Sequence, residues 1–541
     1  MSLLRSSALM ATGTVVSRIT GIARDIAMTA ALGFFITSDA FSLGNTLPNI
    51  IAILVEGGAL NAVFIPQLVR HIKDDEDDGA AYADRLLTVV TLWLIIVTSV
   101  AVALAPQLVS IYASSDYTAQ HAALATAFAR WCLPQIVFYG LFTMWSQVLN
   151  ARGHFAMPMF APILNNIIAI ATFIAFMRIT THANVIDTQL TATQIAVLGA
   201  GTTLGVVAQA FALVPVLVRA GYRYRPRFDL RGNGLGHAGS LALWTLALVV
   251  VNQLAYIVVT RLATSANAQA VAAKATAAGL TTYQKAHLVF MLPHSVITVS
   301  LVTALLPHLS RIAHQGDLRA VSTAVASAIR LVSALIVPVA AILLVLAPTF
   351  TGLMFGFGAA TRDSAVFTGH VVQVFALGLL PFTLVYMLFR GWYALEDTRS
   401  PFMVTLVVNL VNLGLSIPLF MAVPLALKVP VLAAAYVAAY WMALLWAWPR
   451  LARRLGHLET ADTVRALVRM AVAGTVAAGA GAALTLVFAD AFATAGRLLL
   501  LGLALGVSAV ILAVYGVAAH AMHVAEVRKA VDLLRRRALG A

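Results

Sequence analysis

Charged side chains lie within two otherwise apolar stretches near the beginning of the sequence. The first stretch carries Arg18, Arg24 and Asp25, and the second opens with Asp39 and carries Glu56. An arginine at the centre of a bilayer costs about 2.5–3.5 kcal/mol on insertion scales, so such side chains must face other helices or a wet cavity. Either the charges pair with neighbouring helices for structure, or they form a site for an anion. Arginine suits phosphate because its planar guanidinium makes bidentate contacts.

The spacing of these residues predicts which of them point the same way. On an α-helix, Arg18 and Asp25 share a face because they are seven residues apart, whereas Arg24 lies about 120° around the helix from Arg18. One side chain of the pair Arg18 and Arg24 can therefore face a cavity while the other faces a neighbouring helix.

The second half of the sequence carries a different set of polar residues. Arg261 lies in a predicted seventh helix, and Lys274, Lys285 and His287 lie before or within an eighth. His287 and His294 share a helical face, but no carboxylate accompanies them, so helix packing or a wet cavity is favoured over a metal site. We expect Lys285 to supply positive charge, because a lysine near a helix start can extend into a cavity mouth at small desolvation cost.

The composition is that of a polytopic membrane protein. Of the 541 residues, 61% are hydrophobic and 10% are charged, and the mean hydropathy is +0.91. A water-soluble surface needs roughly 25% charged residues. The one cysteine, Cys132, forms neither an internal disulfide nor a zinc cluster. The net charge of +14 comes from basic clusters between apolar stretches, so nucleic acid is not an expected partner.

The long apolar runs predict an all-α fold with about fourteen transmembrane helices, since a helix needs about 20 apolar residues to cross a bilayer. The predicted helices span 8–33, 40–69, 86–112, 122–150, 157–179, 191–218, 238–263, 281–310, 325–347, 366–394, 401–422, 429–449, 464–488 and 497–520.

Basic residues predict the orientation, because cytoplasmic loops are enriched in lysine and arginine. The loop 219–235 contains five arginines, whereas the loops 34–38, 113–121 and 180–190 contain no lysine or arginine. We therefore expect both termini to face the cytoplasm.

An internal repeat predicts two lobes. LPQIVFYGLF at Leu133 resembles LPFTLVYMLF at Leu380, and Asn166 and Asn409 recur at a nearly constant offset of roughly 245 residues. Two parallel six-helix repeats are a transporter architecture. The predicted regions are an N-lobe (1–220), a basic cytoplasmic linker (221–236), a C-lobe (237–455), and two extra helices with a basic tail (456–541).

Enzyme motifs are missing from the sequence. It contains no G-x-x-x-x-G-K-[ST], H-E-x-x-H or G-x-S-x-G pattern. We therefore predict a transporter without a cofactor, driven by an ion gradient, the membrane potential or the substrate gradient.

Several motifs together resemble the MurJ (MviN) family of lipid II flippases. They are VVSRITGIARD, SDAF, LPN and EGGALNAVFIPQL in helices one and two, NARGHFAMPMFAPILNNI at helices four and five, TALLPHLSR in helix eight, and RGWYALEDTRSP before helix eleven. The resemblance implies the multidrug/oligosaccharidyl-lipid/polysaccharide exporter fold. It also implies a flippase that moves the undecaprenyl-pyrophosphate-linked peptidoglycan precursor from the inner to the outer leaflet by alternating access.

The resemblance also implies roles for individual residues. Arg18, Arg24 and Asp25 match functional charges of the family's first helix, and Asp39 matches the acidic residue that opens its second. Members often carry an arginine shortly after a tyrosine in helix eight, where this sequence has Tyr283-Gln-Lys-Ala-His. Together with the charges above, the substrate-binding candidates are Arg18, Arg24, Asp25, Asp39, Glu56, Arg261, Lys274, Lys285 and His287.

One alternative function is export of another lipid-linked glycan or a small cationic compound by the same fold. A membrane enzyme or a scaffold in cell-wall assembly is disfavoured, because the sequence shows no nucleophile–base constellation and a scaffold would not need charges within helices one and two. The expected partners are lipid II, membrane lipids, a coupling ion and cell-wall synthesis proteins. The expected location is the bacterial inner membrane. The stretch AVAGTVAAGAGAALT in helix thirteen either lines a groove for the lipid tail or packs closely against other helices.

Overall fold

The computed structural model describes residues 3–55, 79–228, 239–276 and 278–528. These residues form helices and connecting turns, with no strand in the described ranges. By their contacts they divide into two compact units, Met1–Thr281 with Phe357–Thr361, and Thr282–Gly356 with Arg362–Ala541. The all-α fold predicted from the apolar runs is confirmed.

Eleven helices lie within the described residues of the first unit. They are α1 (Leu3–Leu32), α2 (Ile36–Val55), α3 (Ala80–Ala103), α4 (Ala105–Tyr112), α5 (Ala119–Cys132), α6 (Gln135–Ala151), α7 (Ala156–Ile179), α8 (His182–Ile186), α9 (Ala192–Phe211), α10 (Val214–Arg219) and α11 (Gly239–Ala272).

The remaining helices follow from the end of the first unit through the second. They are α12 (Leu280–Pro293), a π-helical turn (His294–Thr298), α13 (Val299–His314), α14 (Leu318–Phe355), α15 (Arg362–Ala376), α16 (Leu379–Ala394), α17 (Arg399–Ala422), a 3₁₀ turn (Leu425–Leu427), α18 (Lys428–Arg454), α19 (Thr460–Val487), α20 (Ala489–Thr494) and α21 (Arg497–Ala521).

Each of the fourteen predicted segments contains helix, but the count of fourteen spans is not confirmed. Within the described residues, eleven helices are long and apolar enough to cross a membrane, and α15 with α16, bent by 50°, makes a twelfth if counted as one span. The helices α1 and α2 are not among them. The charges of α1 lower its hydropathy, and the predicted second helix continues past Val55 into residues that lie outside the described ranges.

Prolines account for several breaks within the predicted spans. The third predicted helix divides before Pro106, the fourth at Pro134 and the sixth before Pro215. Proline lacks the N–H group that an interior position needs, but it is well accommodated in the first turn of a new helix. The sequence pattern of apolar residues runs across such breaks and therefore does not reveal them.

The first unit is built around α7, which packs most extensively on α1 and on α9. The buried ring of Phe41 on α2 packs edge-to-face against Phe128 of α5, with centroids 5.3 Å apart, and against Phe173 of α7, at 5.8 Å. The helix α11 packs on α2 in the same unit. These contacts hold the charged segments of α1 and α2 against the apolar core of the unit.

The segment 357–361 belongs to the first unit because it binds the end of α1. The N–H of Ala359 donates to the carbonyl of Ala30 at 2.7 Å. Gly358 has φ +70°, and a Cβ at this position would collide with the Ala30 carbonyl. Both the backbone conformation and the close approach therefore require glycine at residue 358.

In the second unit α19 and α21 pack on α14 and on each other. Their shared apolar core includes Val337, Met470 and Ile511. A Cβ on Gly474 would lie 2.6 Å from Cγ1 of Val337, so the small residues of α19 allow the helices to approach closely. This observation supports the close-packing interpretation of the small-residue stretch.

A charged contact also connects α14 with the residues next to α19 and α21, two turns before Val337. The guanidinium of Arg330 donates to Glu459 at 2.8 Å and to Glu526 at 3.1 Å. Burial raises the pKa of Glu459, but hydrogen bonds from Arg330 and Thr323 and the attraction of Arg330 outweigh burial and lower it below the ordinary value. The contact ties α14 to the residues that precede α19 and follow α21.

Candidate functional site

A polar cluster joins α1 to α7 at the positions of the predicted anion site. The guanidinium of Arg24 donates to Oδ2 of Asp25 at 3.1 Å and to Oδ1 of Asn166 at 3.3 Å. The amide of Asn166 in turn donates to the backbone carbonyl of Ser17 at 3.2 Å and to Oγ1 of Thr20 at 3.0 Å. We call these five residues the Arg24 cluster.

The contacts of Arg24 agree partly with structural pairing between helices and partly with a site for an anion. Arg24 pairs with a neighbouring helix, as a structural charge would, yet 39% of its side chain stays exposed, against 14% for Asp25. A guanidinium has five N–H donors, and only part of this set is used by Asp25 and Asn166. Arg18, on the same helix, is also exposed. Both arginines are therefore accessible to an anion in this conformation.

Asp39 lies in a second cluster, and its side chain is fully buried. Its carboxylate accepts a hydrogen bond from Nδ2 of Asn267 at 2.8 Å, and from the backbone N–H groups of Leu280 at 3.0 Å and Thr281 at 2.7 Å. A negative charge at the first turn of a helix is favourable because the unpaired N–H groups of that turn point at it. Asp39 thus links α2 to α11 and to the start of α12.

Neighbouring contacts enclose this carboxylate. Oγ1 of Thr281 donates to Oγ of Ser38 at 3.0 Å, and the amide of Asn267 also donates to the carbonyl of Phe34 at 3.2 Å. At Gly279 a Cβ would collide with the carboxylate of Asp39 and with the side chain of Asn267. We call Asp39, Asn267, Gly279, Leu280 and Thr281 the Asp39 cluster.

Arg261 binds the end of a neighbouring helix. Its guanidinium donates to the carbonyls of Ser110 at 2.7 Å and Ile111 at 3.1 Å, in the last turn of α4. A cation at a helix C-terminus is favourable because the last carbonyls lack intrahelical partners. Lys274, by contrast, is exposed just after α11 in a left-handed backbone conformation, with φ +54°.

The second-unit candidates lie deeper than the sequence suggests. Lys285 is only 4% exposed, so the expectation that it extends into a cavity mouth does not describe this conformation. It lies in the second turn of α12 and faces packed helices rather than solvent. The ring of His287 contacts Tyr283, Phe290, Phe375 and Tyr436, with centroids 5.6 to 6.5 Å apart. Helix packing, the favoured interpretation of this histidine, agrees with these contacts.

The candidates thus fall into separate groups. The structure brings Arg24 and Asp25 together, and it places Asp39 and Arg261 in two further sets of contacts within the first unit. Glu56 lies outside the described residues. Sequence reasoning missed Asn166 and Asn267 as members of these clusters. The signal for Asn166 was present, because an amide in the middle of an apolar helix requires a polar partner.

The sequence of this chain matches a known protein family over most of its length. The sequence profile described as "Lipid II flippase MurJ" matches residues 28–503. The chain belongs to the MurJ family of lipid II flippases. The matched residues include Asp39, Arg261 and Lys285, whereas the charges of α1 precede them.

Curated members of the MurJ family resemble this chain over most of its length. A probable lipid II flippase MurJ from Rhizobium meliloti is 27% identical over 426 residues, which covers 78% of this chain and 76% of the relative. The lipid II flippase MurJ of Burkholderia cenocepacia is 27% identical over 421 residues, covering 76% and 77%. The family membership implied by the sequence motifs is therefore confirmed.

Solved structures show the same fold. A lipid II flippase MurJ in an inward closed conformation superposes with a TM-score of 0.73 at 17% identity, covering 94% of this chain and 98% of that one. An inward-facing multidrug resistance transporter of the MATE family and MOP superfamily gives a TM-score of 0.61 at 16% identity, covering 81% and 95%. This chain therefore has the fold of these solved structures.

Proposed function

We propose that this protein is a lipid II flippase of the bacterial inner membrane, a multi-pass transporter and not an enzyme. It moves the undecaprenyl-pyrophosphate-linked precursor of peptidoglycan from the inner to the outer leaflet by alternating access. The observation that carries this proposal is the match of the MurJ family profile over residues 28–503. The accessible guanidinium in the Arg24 cluster supports it, because the substrate presents a pyrophosphate.

Arg24 and Arg18 would bind the pyrophosphate in the first step. The substrate group carries about two negative charges, and arginine binds such groups through bidentate, charge-assisted hydrogen bonds. Asp25 and Asn166 hold the guanidinium of Arg24 at one end, so that its remaining N–H groups are oriented before the substrate arrives. This orientation lowers the entropic cost of binding.

The Asp39 cluster would act in the conformational step. Its hydrogen bonds fix the start of α12 against α2 and α11. Alternating access requires elements that separate and rejoin, and a buried carboxylate held by backbone N–H groups is a discrete contact of this kind. We propose that the cluster is intact in this conformation and opens when the site becomes accessible from the other side.

We propose that residues in the second half of the chain contact the pyrophosphate in another conformation of the protein. Lys285 and His287 are enclosed here, so they would have to become accessible during transport to reach the substrate. Transport should then be impaired by Lys285→Ala and largely retained by Lys285→Arg. The opposite order would remove Lys285 from the substrate site, because the position would then tolerate loss of charge but not the bulk of arginine.

The orientation with both termini in the cytoplasm is also proposed. It rests on the five arginines of the 219–235 loop against none in 180–190. A cysteine at Tyr224 should resist an impermeant thiol reagent in intact cells, whereas one at Asp187 should react. The native Cys132 is buried and will not compete. Labelling of position 224 from outside would reverse the orientation.

Depletion of the protein in its host bacterium tests the proposed substrate. Lipid II should accumulate while its synthesis continues, and wild-type protein should restore the normal level. Arg24→Ala should insert normally but fail to restore it, whereas Arg178→Ala, which changes an exposed arginine at the end of α7, should succeed. Normal lipid II levels during depletion would exclude lipid II as the substrate.

A further inference from the structure

A pocket of about 300 Å³ lies at one end of the second unit, where four helices end or begin. The last turn of α14 contributes Gly352, the residue that follows the helix is Gly356, and Arg362 opens α15. The short helix α20 contributes Phe492, and α21 begins with Arg497. None of these residues belongs to the Arg24 or Asp39 clusters.

Two guanidinium groups give this pocket a positive charge. Arg362 and Arg497 both line it, and each is the first residue of its helix. Arginine is unfavourable at a helix start, where the backbone N–H groups already carry partial positive charge. Asp363, the residue after Arg362, is exposed and does not line the pocket. A bound anion would offset the repulsion between these positive groups.

One of the arginines is held in place by the backbone of α14. Nη2 of Arg497 donates to the carbonyl of Gly356 at 3.0 Å. This hydrogen bond satisfies a carbonyl at the end of α14 and orients the planar guanidinium at the pocket. The fixed guanidinium places its positive charge at the pocket, and a planar guanidinium matches the geometry of a phosphate.

The pocket lies where candidate membrane-spanning helices end and begin. The candidate spans Leu318–Phe355 and Arg497–Ala521 end and begin beside it. At the same end, Leu486, Val487 and Leu498 are 77%, 75% and 87% exposed, which is expected of side chains that face lipid. Phe492 adds an apolar wall to the pocket itself. Arginines beside exposed leucines are the arrangement found where acyl chains meet headgroups.

We propose that this pocket binds the phosphate headgroup of an anionic glycerophospholipid. The two guanidinium groups contact the phosphate, and the apolar wall contacts the glycerol and the first methylene groups of the lipid. A free phosphate would gain nothing from the apolar wall. In the proposed orientation this boundary is the outer leaflet, and the pocket shares no residue with the Arg24 or Asp39 clusters.

Lipid retention by the purified full-length protein tests the proposal. The protein is released from bilayers that contain phosphatidylglycerol, phosphatidylcholine or polyprenyl phosphate, and the bound lipid is counted by native mass spectrometry. Phosphatidylglycerol should be retained by the wild type, and retention should fall about tenfold for each charge-assisted contact that Arg362→Gln or Arg497→Gln removes. Arg178→Gln, at the end of α7, is the matched control and should retain the lipid.

A second variant tests the pocket without changing its charge. A Cβ at Gly352 would lie 3.5 Å from Cγ2 of Val366, an ordinary contact, so Gly352→Ala can be accommodated while it adds a methyl group at a residue that lines the pocket. It should reduce phosphatidylglycerol retention with both arginines in place. Equal retention by the arginine variants and Arg178→Gln would overturn the proposal. A loss of retention in the arginine variants that is confined to polyprenyl phosphate would also overturn it, since the site would then bind a different lipid.

Discussion

Replacing Asp39 by asparagine should loosen the start of α12 without unfolding the protein. The carboxylate accepts hydrogen bonds from the N–H groups of Leu280 and Thr281 and from Asn267. Asparagine has a similar shape but keeps one acceptor oxygen and loses the charge. Losing one charge-assisted hydrogen bond removes about 1.5–3 kcal/mol, which raises the open population of this contact by roughly 10- to 150-fold.

Hydrogen–deuterium exchange of the peptide that contains Leu280 and Thr281 measures this change directly. Amide protection follows the free energy of local opening, so protection should fall by the same factor in Asp39→Asn. Asp116→Asn is a suitable control, because Asp116 accepts hydrogen bonds from the α11 side chains Ser265 and Gln269. Unchanged protection in Asp39→Asn, or an equal loss in both variants, would refute the assignment of Asp39 to this contact.

Three further outcomes follow from the described contacts. Asn166→Leu should abolish complementation of a depletion strain, because Arg24 loses the hydrogen bond to Asn166. Asn409→Leu, at the equivalent repeat position, should have a milder effect, because Asn409 donates to a carbonyl of its own helix. Arg330→Met should lower stability by about 1–3 kcal/mol in thermal unfolding, against no measurable change for the exposed Arg465→Met. Because the folded pKa of Glu459 is lowered, its stabilising contribution is present above about pH 4.5 and is lost as the pH falls through the folded pKa; Arg330→Met should reduce this acid sensitivity.

The sequence predicted the helices well because apolar runs of membrane length report directly on burial in lipid. It also located the polar residues of α1, since a charge in an apolar stretch must have a partner or a cavity. What it did not predict was where the helices break. The π-helical turn His294–Thr298 and the division at Pro134 lie inside segments that are apolar on both sides, so the apolar runs do not locate them.

The partners of Asp39 were beyond prediction for a different reason. Asn267 and Thr281 lie 228 and 242 residues away along the chain, and periodicity describes only local structure. Lys285 shows the same limit, because its distance from a helix start suggested exposure, whereas the packing of neighbouring helices decides its burial. The sequence thus identified candidate residues, and tertiary contacts decided which of them are accessible.

The most direct test of the central claim is the exposure of lipid II at the outer surface of cells that contain only a chosen variant. A membrane-impermeant hydrolase added outside should cleave lipid II in cells with the wild-type protein. In cells with Arg24→Ala the initial rate of cleavage should fall at least tenfold, as expected from the loss of a charge-assisted contact with the pyrophosphate, while total lipid II rises. Wild-type cleavage rates with Arg24→Ala at equal protein levels would contradict the account.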